Sequence, residues 1–184
     1  MTCLLSDNEQ DLKDLIQDFE NVTQNRAMEI SVAKTKIMCM NRNGEIPAIN
    51  LQLRQETIEN VQNFIYLGSC VTSDGHVNLE VNQRISKASK AFEKLKRPLW
   101  SRKDISTKIK MKVFNSVVMN ILLYGSETWT PLEQDLCRLE TFQMRCLRCI
   151  IGVSRWDHLY NLDIRARCCE QPLVEALIRQ RRLR

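Results

Sequence analysis

The sequence is poor in residues that interrupt regular structure, and it has no long apolar run. Its 184 residues include only five Gly and four Pro, a composition that favours regular secondary structure over disorder. No apolar stretch approaches the roughly 20 residues of a membrane-spanning helix, and 27% of the residues are charged, which excludes a membrane protein. The first residues lack the basic-then-apolar pattern of a signal peptide, and we therefore expect an intracellular protein.

Paired carboxylates for metal chemistry are missing as well. Phosphoryl transfer with two metal ions requires carboxylates that converge on both ions, yet the chain contains neither Asp-Asp nor Asp-x-Asp. Asp7, Asp11, Asp14 and Asp18 follow the spacing of one helix face, a pattern typical of a solvated surface. A row of carboxylates on one helix cannot converge on two ions without a second element.

The eight cysteines do not indicate a disulfide framework. Most of them lie on apolar stripes and no secretory signal precedes them, so we expect reduced cysteines in the core. Cys146, Cys149, His158 and Cys168 are ligand types that zinc accepts. The eight- and nine-residue gaps before and after His158 match no zinc-finger spacing, and we expect no metal site.

Positive charge is concentrated in the second half of the chain. Residues 1–80 contain 12 acidic and 6 basic residues, a balance of −6, whereas residues 81–184 contain 10 acidic and 21 basic residues, a balance of +11. This asymmetry is compatible with a polyanionic partner for the second half, and equally with helix surfaces that are basic for solubility.

The first 72 residues have a mixed pattern. Residues 8–22 have helical apolar spacing, and Asn8 is suited to cap the helix. The stretch EISVAKTKIMCMN, residues 29–41, predicts a strand, Asn41 to Gly44 predicts a turn, and residues 49–53 and 61–68 predict two further strands.

From residue 77 the period is helical to the end of the chain. A first helix has an apolar stripe from Val81 to Leu99 and ends near Pro98, and Ser106 begins a second helix that ends at Gly125. Thr130-Pro131-Leu132-Glu133 resembles a capping box for a third helix, which ends at Gly152. Shorter helices are predicted after Asn161 and Pro172. The residues expected to face inward on the second and third helices are Ile109, Val113, Phe114, Val117, Ile121, Leu122, Leu132, Leu136, Leu139, Phe142, Cys146 and Ile150.

The predicted fold class is therefore α+β. A short N-terminal helix and an antiparallel hairpin occupy residues 1–72, and an all-helical basic bundle occupies residues 77–184.

Several stretches of this sequence resemble one family. The order of elements is similar to the C-terminal part of the reverse transcriptase of non-LTR retrotransposons of the RTE kind, across essentially the whole chain. YLGSCVTSDG and LLYGSETW are the most specific of these stretches, and KTK alone is weak. The matching stretches are LLSDNEQDLKDLIQDF, KTKIM, FIYLGSCVTSDG, RISKASKAFEKLKRPLW, LLYGSETWT, FQMRCLRCIIGV and WDHLYNLDIRAR.

The resemblance implies a truncated polymerase. In the family, the segment similar to TCLLSDNEQDLKDL directly follows Tyr/Phe-Ala-Asp-Asp, which supplies two carboxylates for catalytic Mg²⁺. We expect this chain to begin just past that tetrapeptide and to be non-catalytic alone, with Mg²⁺ required only by the parent enzyme. Residues 1–72 would be the end of the palm with motifs D and E, residues 77–184 would be the thumb, and the rest of the palm and the fingers would lie upstream.

The resemblance also implies roles for particular residues. Lys34 of motif D would be an accessory catalytic cation near the leaving pyrophosphate in the parent enzyme, with Lys36 on the same strand face as the second choice. Tyr66, Leu67 and Gly68 would form the primer grip. The residues expected to contact duplex phosphates in the thumb are Lys87, Lys90, Lys94, Arg97, Lys108 and Lys112.

We therefore expect a fragment of an RNA-directed DNA polymerase that binds an RNA–DNA or DNA duplex weakly, derived from a parent element that acts in the nucleus. The alternative is a small helical interaction or remnant protein with no nucleic-acid role. Salt-dependent duplex binding distinguishes the two.

Overall fold

A computed structural model describes residues 2–40 and 49–183 and confirms the α+β class. The chain forms two compact units. The first extends to residue 64 and includes residues 72–75, and the second contains residues 65–71 and everything from residue 76 onward. The turn expected at Asn41 to Gly44 lies outside the described residues.

Helix α1, Glu9–Gln24, is the main element of the first unit. Asn8 is its N-cap, as predicted, and the Asn8 side-chain oxygen accepts a 2.8 Å hydrogen bond from the Asp11 amide. Leu12 and Ile16 of α1 are partly buried against a small core. That core consists of Ile37, Leu51, Leu53 and Ile58.

The strand predicted over residues 29–41 is wrong for most of its described length. Val32–Lys34 is a 3₁₀ turn, and only β1, Lys36–Ile37, is a strand. The Lys34 and Thr35 amides donate to the Ser31 carbonyl, at 3.2 and 3.1 Å, so these amides are satisfied locally instead of by a neighbouring strand. Lys34 and Lys36 therefore do not share a strand face.

The other strands are short. β1 pairs in parallel with β4, Glu59–Asn60, whereas β2, Gln52–Leu53, forms an antiparallel hairpin with β3, Glu56–Thr57. The turn of that hairpin lies at Arg54 and Gln55, and both residues have positive φ.

A second hairpin joins β5, Asn63–Tyr66, to β6, Ser69–Thr72. Its two turn residues, Leu67 and Gly68, have φ values of +49° and +86°. Two successive left-handed residues are the signature of a type I′ turn, in which a glycine relieves the steric cost at one position.

The second unit is a bundle of helices. Its longest elements are α2 and α5, and a π turn in the middle of the second predicted helix divides it into α3 and α4. The elements in chain order are α2 (Asn78–Lys94), a π turn (Lys96–Trp100), α3 (Thr107–Val113), a π turn (Phe114–Met119), α4 (Asn120–Leu122), a 3₁₀ turn (Ser126–Thr128), α5 (Glu133–Ile151), a 3₁₀ turn (Arg155–Asp157), α6 (Asn161–Arg167) and α7 (Val174–Arg182).

An aromatic cluster lies at the centre of this bundle. The Phe92 and Trp100 rings stack with centroids 5.0 Å apart, and Phe114 meets Phe92 edge-on at 6.3 Å. The indole N–H of Trp100 donates a 2.8 Å hydrogen bond to the Phe92 carbonyl, which satisfies the buried polar atom. Pro98 lies inside the π turn after α2, so this helix ends slightly before the proline, at Lys94.

Some predicted core positions are wrong. Ile109 and Val117 are 53% and 37% exposed, while Met111 and Val118 are buried. The buried positions of this helix thus differ in part from those expected, while Phe114 and Leu122 are buried as predicted.

The start of α5 also differs from the prediction. Glu133 is its first residue and Leu132 is its N-cap, so the helix begins after Pro131 and Leu132 is 55% exposed. The Asp135 carboxylate accepts the Leu132 amide at 3.3 Å and thereby performs the capping that was expected of Thr130.

Within the described residues, no helix combines the length and apolar character that crossing a membrane requires.

Candidate nucleic-acid interface

The tip of the β5–β6 hairpin, residues 65–71, is attached to α2 by a buried ion pair. Glu80 and Arg84 lie one helical turn apart, and the Glu80 Oε1 accepts a 2.6 Å hydrogen bond from the Arg84 Nε. The other Glu80 oxygen accepts the Cys70 amide at 2.7 Å, and the Arg84 Nη2 donates to the Gly68 carbonyl at 2.6 Å. Helix α2 therefore holds both the turn and the returning strand.

Tyr124, just after α4, holds the same turn from a second direction. Its hydroxyl donates to the Leu67 carbonyl at 3.2 Å, and the Arg84 guanidinium lies 4.6 Å from the centre of its ring. The next residue, Gly125, has φ of +74°, and a Cβ placed there would lie only 2.7 Å from the Ser69 Oγ. The close approach of the two segments therefore requires glycine at position 125.

These contacts bring together the two most specific stretches of the sequence. YLGSCVTSDG contains the hairpin tip, LLYGSETW contains Tyr124 and Gly125, and Arg84 opens RISKASKAFEKLKRPLW. Sequence reasoning did not single out Glu80, Arg84 or Tyr124. The sequence feature that could have indicated the buried pair is the spacing of four residues between Glu80 and Arg84. This spacing also occurs in ion pairs on solvated helix surfaces, so it does not by itself indicate burial.

The predicted primer-grip residues lie at this tip. Tyr66 is partly buried, whereas Leu67 is 68% exposed and Gly68 is exposed at the turn. The Leu67 and Gly68 carbonyls both accept hydrogen bonds from within the unit, so the turn is held while the Leu67 side chain projects outward.

Three predicted phosphate-binding lysines form a row on α2. Lys87, Lys90 and Lys94 are exposed, and their spacing of three and four residues places them on one face of the helix. Arg97 is exposed in the π turn that follows α2. The row begins at a shallow groove lined by Arg84, Lys87, Ser116, Val117, Asn120, Ile121 and Tyr124. One end of the lysine row is therefore next to the residues that hold the hairpin turn.

Lys108 and Lys112 are exposed on α3, four residues apart. Lys110, between them, is only 7% exposed, and its ammonium donates a 2.9 Å hydrogen bond to the Trp100 carbonyl. Lys110 is thus a structural residue of the bundle and does not belong to the basic surface.

Lys34 lies in the first unit, exposed in the 3₁₀ turn Val32–Lys34. Lys36 forms an ion pair with Glu59 of the neighbouring strand. Lys36 therefore has a cross-strand structural role, and Lys34 keeps an exposed ammonium.

The described residues contain no cluster of three or more His, Cys, Asp or Glu side chains that could hold a metal ion. The candidate zinc residue Cys146 belongs to the core, where burial raises the pKa of its thiol to about 12. Burial likewise raises the pKa of Cys168 to about 11, and it raises the pKa of Cys149. Burial therefore disfavours the thiolate form of these three residues.

Comparison with known proteins identifies a similar protein from a transposable element. The chain is 28% identical over 160 residues to a Caenorhabditis elegans protein whose name describes it as transposon-derived and uncharacterized. The match covers 84% of this chain and 55% of the relative, so the chain spans about half the length of that protein. No family model and no solved structure matches the chain. The similarity supports an origin in a transposable element.

Proposed function

We propose that the chain is the thumb, with the adjoining end of the palm, of an RTE-like reverse transcriptase, and that it binds the backbone of a template–primer duplex. The observation that carries the proposal is the attachment of the β5–β6 turn to α2 and Tyr124 next to the row Lys87, Lys90 and Lys94. A rigid turn beside a line of cations is suited to position a primer strand and to neutralise its phosphates.

The chemistry of this surface is electrostatic. Lysine ammonium groups bind phosphates without reading sequence, because phosphate oxygens are the same at every nucleotide. The exposed Gly68 allows a sugar–phosphate backbone to approach the turn closely. Lys108, Lys112 and Arg97 extend the proposed phosphate-binding set beyond the α2 row.

The proposed polymerase activity belongs to the parent protein, which would act on chromosomal DNA in the nucleus. The described residues offer no set of side chains that fits Mg²⁺, so no catalytic step is assigned to this chain. Lys34 would serve the parent enzyme as a cation near the departing pyrophosphate. We expect the chain alone to incorporate no nucleotide, and incorporation above a heat-inactivated control would contradict this.

The proposal is tested by neutralising the lysine row. The triple variant Lys87→Gln, Lys90→Gln, Lys94→Gln is expected to bind an RNA–DNA hybrid less tightly than wild type. The slope of log affinity against log salt is expected to flatten by roughly 0.9 for each contact removed.

The matched control is the triple variant Lys13→Gln, Arg26→Gln, Arg179→Gln. It removes the same number of positive charges from exposed residues outside the proposed binding surfaces, so the change in net charge is equal in the two variants. If both variants have the same salt slope as wild type and keep their helical spectra, the α2 row is a solvated surface. The alternative, a helical interaction protein without a nucleic-acid role, is then favoured.

A further inference from the structure

The segment between α5 and α6 presents unusually exposed aromatic side chains. Trp156 is 85% exposed and Tyr160 is 79% exposed, and Leu162 at the start of α6 is 79% exposed. The other two tryptophans, Trp100 and Trp129, are 2% and 3% exposed. The proposed duplex surface does not use these three exposed residues.

The segment is ordered by its own hydrogen bonds. The Asp157 carboxylate accepts the Ser154 amide at 2.6 Å, and the Ser154 hydroxyl accepts the Trp156 amide at 3.2 Å. These two bonds form a reciprocal cap at the N-terminal end of the 3₁₀ turn Arg155–Asp157. Leu159 is partly buried against the core of the bundle and anchors the stretch between the two aromatic residues. The backbone that carries Trp156 and Tyr160 is thus ordered before any ligand binds.

The surrounding charges favour an anionic ligand. Arg155 is exposed in the capped turn, Arg148 donates a 2.8 Å hydrogen bond to the Asn161 side chain, and Arg167 is exposed at the end of α6. Residues 148–167 also contain two carboxylates. One of them, Asp157, is engaged in capping the turn, and the other is Asp163.

From these observations we infer that Trp156 and Tyr160 form a stacking platform for single-stranded nucleic acid. Every nucleobase has an aromatic face, and stacking on tryptophan or tyrosine combined with nearby arginines is how single strands are bound without sequence preference. Asp157 and His158 are exposed between the two rings in the sequence, which suits the stacking of individual bases better than the contiguous apolar centre of a protein interface.

This inference rests on the proposed function, because a thumb that holds a template–primer duplex has single-stranded template next to it. The platform lies in the Trp156–Leu162 segment and the duplex surface on α2, so separate variants test the two. The ligand class is single-stranded RNA or DNA, and the nucleotides at the platform are expected to be unpaired.

The experiment uses tryptophan fluorescence, because the other two tryptophans are buried. Addition of an oligouridylate of about 12 nucleotides to the full chain is expected to quench the emission and to shield it from acrylamide. Trp156→Phe should lose the quenching but keep affinity, since a ring remains. Trp156→Ala and Tyr160→Ala should each lower affinity by about tenfold.

Two controls separate stacking from charge and from the duplex surface. Inorganic polyphosphate has no bases, so its affinity should be the same for wild type and Trp156→Ala. The hybrid duplex should bind Trp156→Ala like wild type, whereas Lys87→Gln, Lys90→Gln, Lys94→Gln should lose duplex binding and keep fluorescence quenching by the single strand.

Equal oligouridylate affinity of wild type and Trp156→Ala overturns the platform. Shielding of Trp156 that depends on chain concentration and not on oligonucleotide also overturns it, and identifies the segment as a protein contact. If the Lys87→Gln, Lys90→Gln, Lys94→Gln variant binds the hybrid duplex like wild type, the proposed function is refuted. The platform is still supported in that case if Trp156→Ala binds oligouridylate more weakly than wild type.

Discussion

At the residue scale, Glu80 and Arg84 differ sharply from a surface pair of the same spacing. Their side chains are 2% and 7% exposed, whereas those of Glu175 and Arg179 on α7 are 48% and 73% exposed. Removal of one partner from a buried pair leaves an uncompensated charge, while an exposed pair loses only a screened attraction. The two pairs form a natural comparison because each has an i, i+4 spacing on a helix.

We predict that Arg84→Met lowers the free energy of unfolding by about 3–5 kcal/mol, as expected for a broken buried pair. The control Arg179→Met should cost less than about 0.5 kcal/mol. Urea unfolding followed by circular dichroism measures both values. Similar small costs for the two variants would show that solvent reaches the Glu80–Arg84 pair.

The thiols give a second prediction at this scale. Cys3, Cys137 and Cys169 are exposed, whereas Cys70, Cys146 and Cys168 are buried. We expect iodoacetamide to alkylate the exposed group in the folded protein at pH 8 and the buried group only after unfolding in urea, because the thiolate is the reactive form. Peptide mass spectrometry identifies the labelled positions, and early labelling of Cys146 would contradict its burial.

The burial of Cys146 also determines how folding stability changes with pH. The pKa of Cys146 is about 12 in the folded protein against an ordinary value of 9.0, so above pH 9 the unfolded chain loses this proton first. A state that releases protons is favoured as pH rises, so Cys146 destabilises the fold above pH 9 and has no such effect below it. Cys146→Ala should therefore flatten the decline of stability between pH 9 and 11 relative to wild type.

At the scale of elements, the features that were predicted correctly are those set by contacts between residues close in sequence. The stripe of α2 and the cap at Asn8 are found as expected, because both arise from contacts within a few residues. Ile109 and Val117 were wrongly expected in the core, whereas Phe114 and Leu122 of the same predicted helix are buried as expected, and Phe114 meets Phe92 edge-on.

The contacts that build the candidate site could not be predicted from residue spacing either. The resemblance implies a primer grip at Tyr66, Leu67 and Gly68, but the attachment of this turn to Tyr124 joins residues 57 positions apart and leaves no periodic trace. Lys110 lies between two exposed lysines of the same helix, and only the packed bundle shows that its ammonium bonds the Trp100 carbonyl.

The contact between the hairpin and the helices can be tested with two glycines. Gly125 and Gly152 both follow a helix with φ near +70°, but a Cβ at Gly152 would meet nothing within 4 Å. We predict that Gly152→Ala costs about 1–2 kcal/mol from backbone strain alone. Gly125→Ala should cost more, because its Cβ would also press on the Ser69 Oγ at 2.7 Å.

Thermal unfolding of both variants measures this difference. The excess cost of Gly125→Ala should shrink when it is combined with Ser69→Ala, as a double-mutant cycle would register for two groups in contact. Equal costs for the two glycine variants, or no coupling to Ser69, would mean that the hairpin tip does not pack tightly on the helices.

For the whole molecule, the two compact units differ in the core that each one buries. Among the described residues, the core of the first unit contains four buried hydrophobic side chains, and that of the second unit contains twenty-one. Buried apolar area is the main source of folding free energy, and conformational entropy opposes it over every ordered residue. The first unit therefore has little to offset the entropy of its short strands and turns.

The expected result is a large difference in native-state hydrogen exchange. Amides of Val118 and Leu122 in the helical bundle should exchange only through global unfolding of that unit, because their elements are surrounded by the large core. The Ile58 amide, which bonds the Leu51 carbonyl at 2.9 Å, should exchange through a local opening of lower free energy, since a small two-stranded hairpin is marginal in water.

The amide of Cys70 provides the matched comparison. It also lies in a hairpin, but it donates to the Glu80 carboxylate of α2, so we expect it to be protected like the amides of the bundle. Arg84→Met should remove that extra protection from Cys70 without changing Ile58. Protection of Ile58 equal to that of Leu122 would contradict the difference in stability, and would show that the first unit is stabilised by more than its own small core.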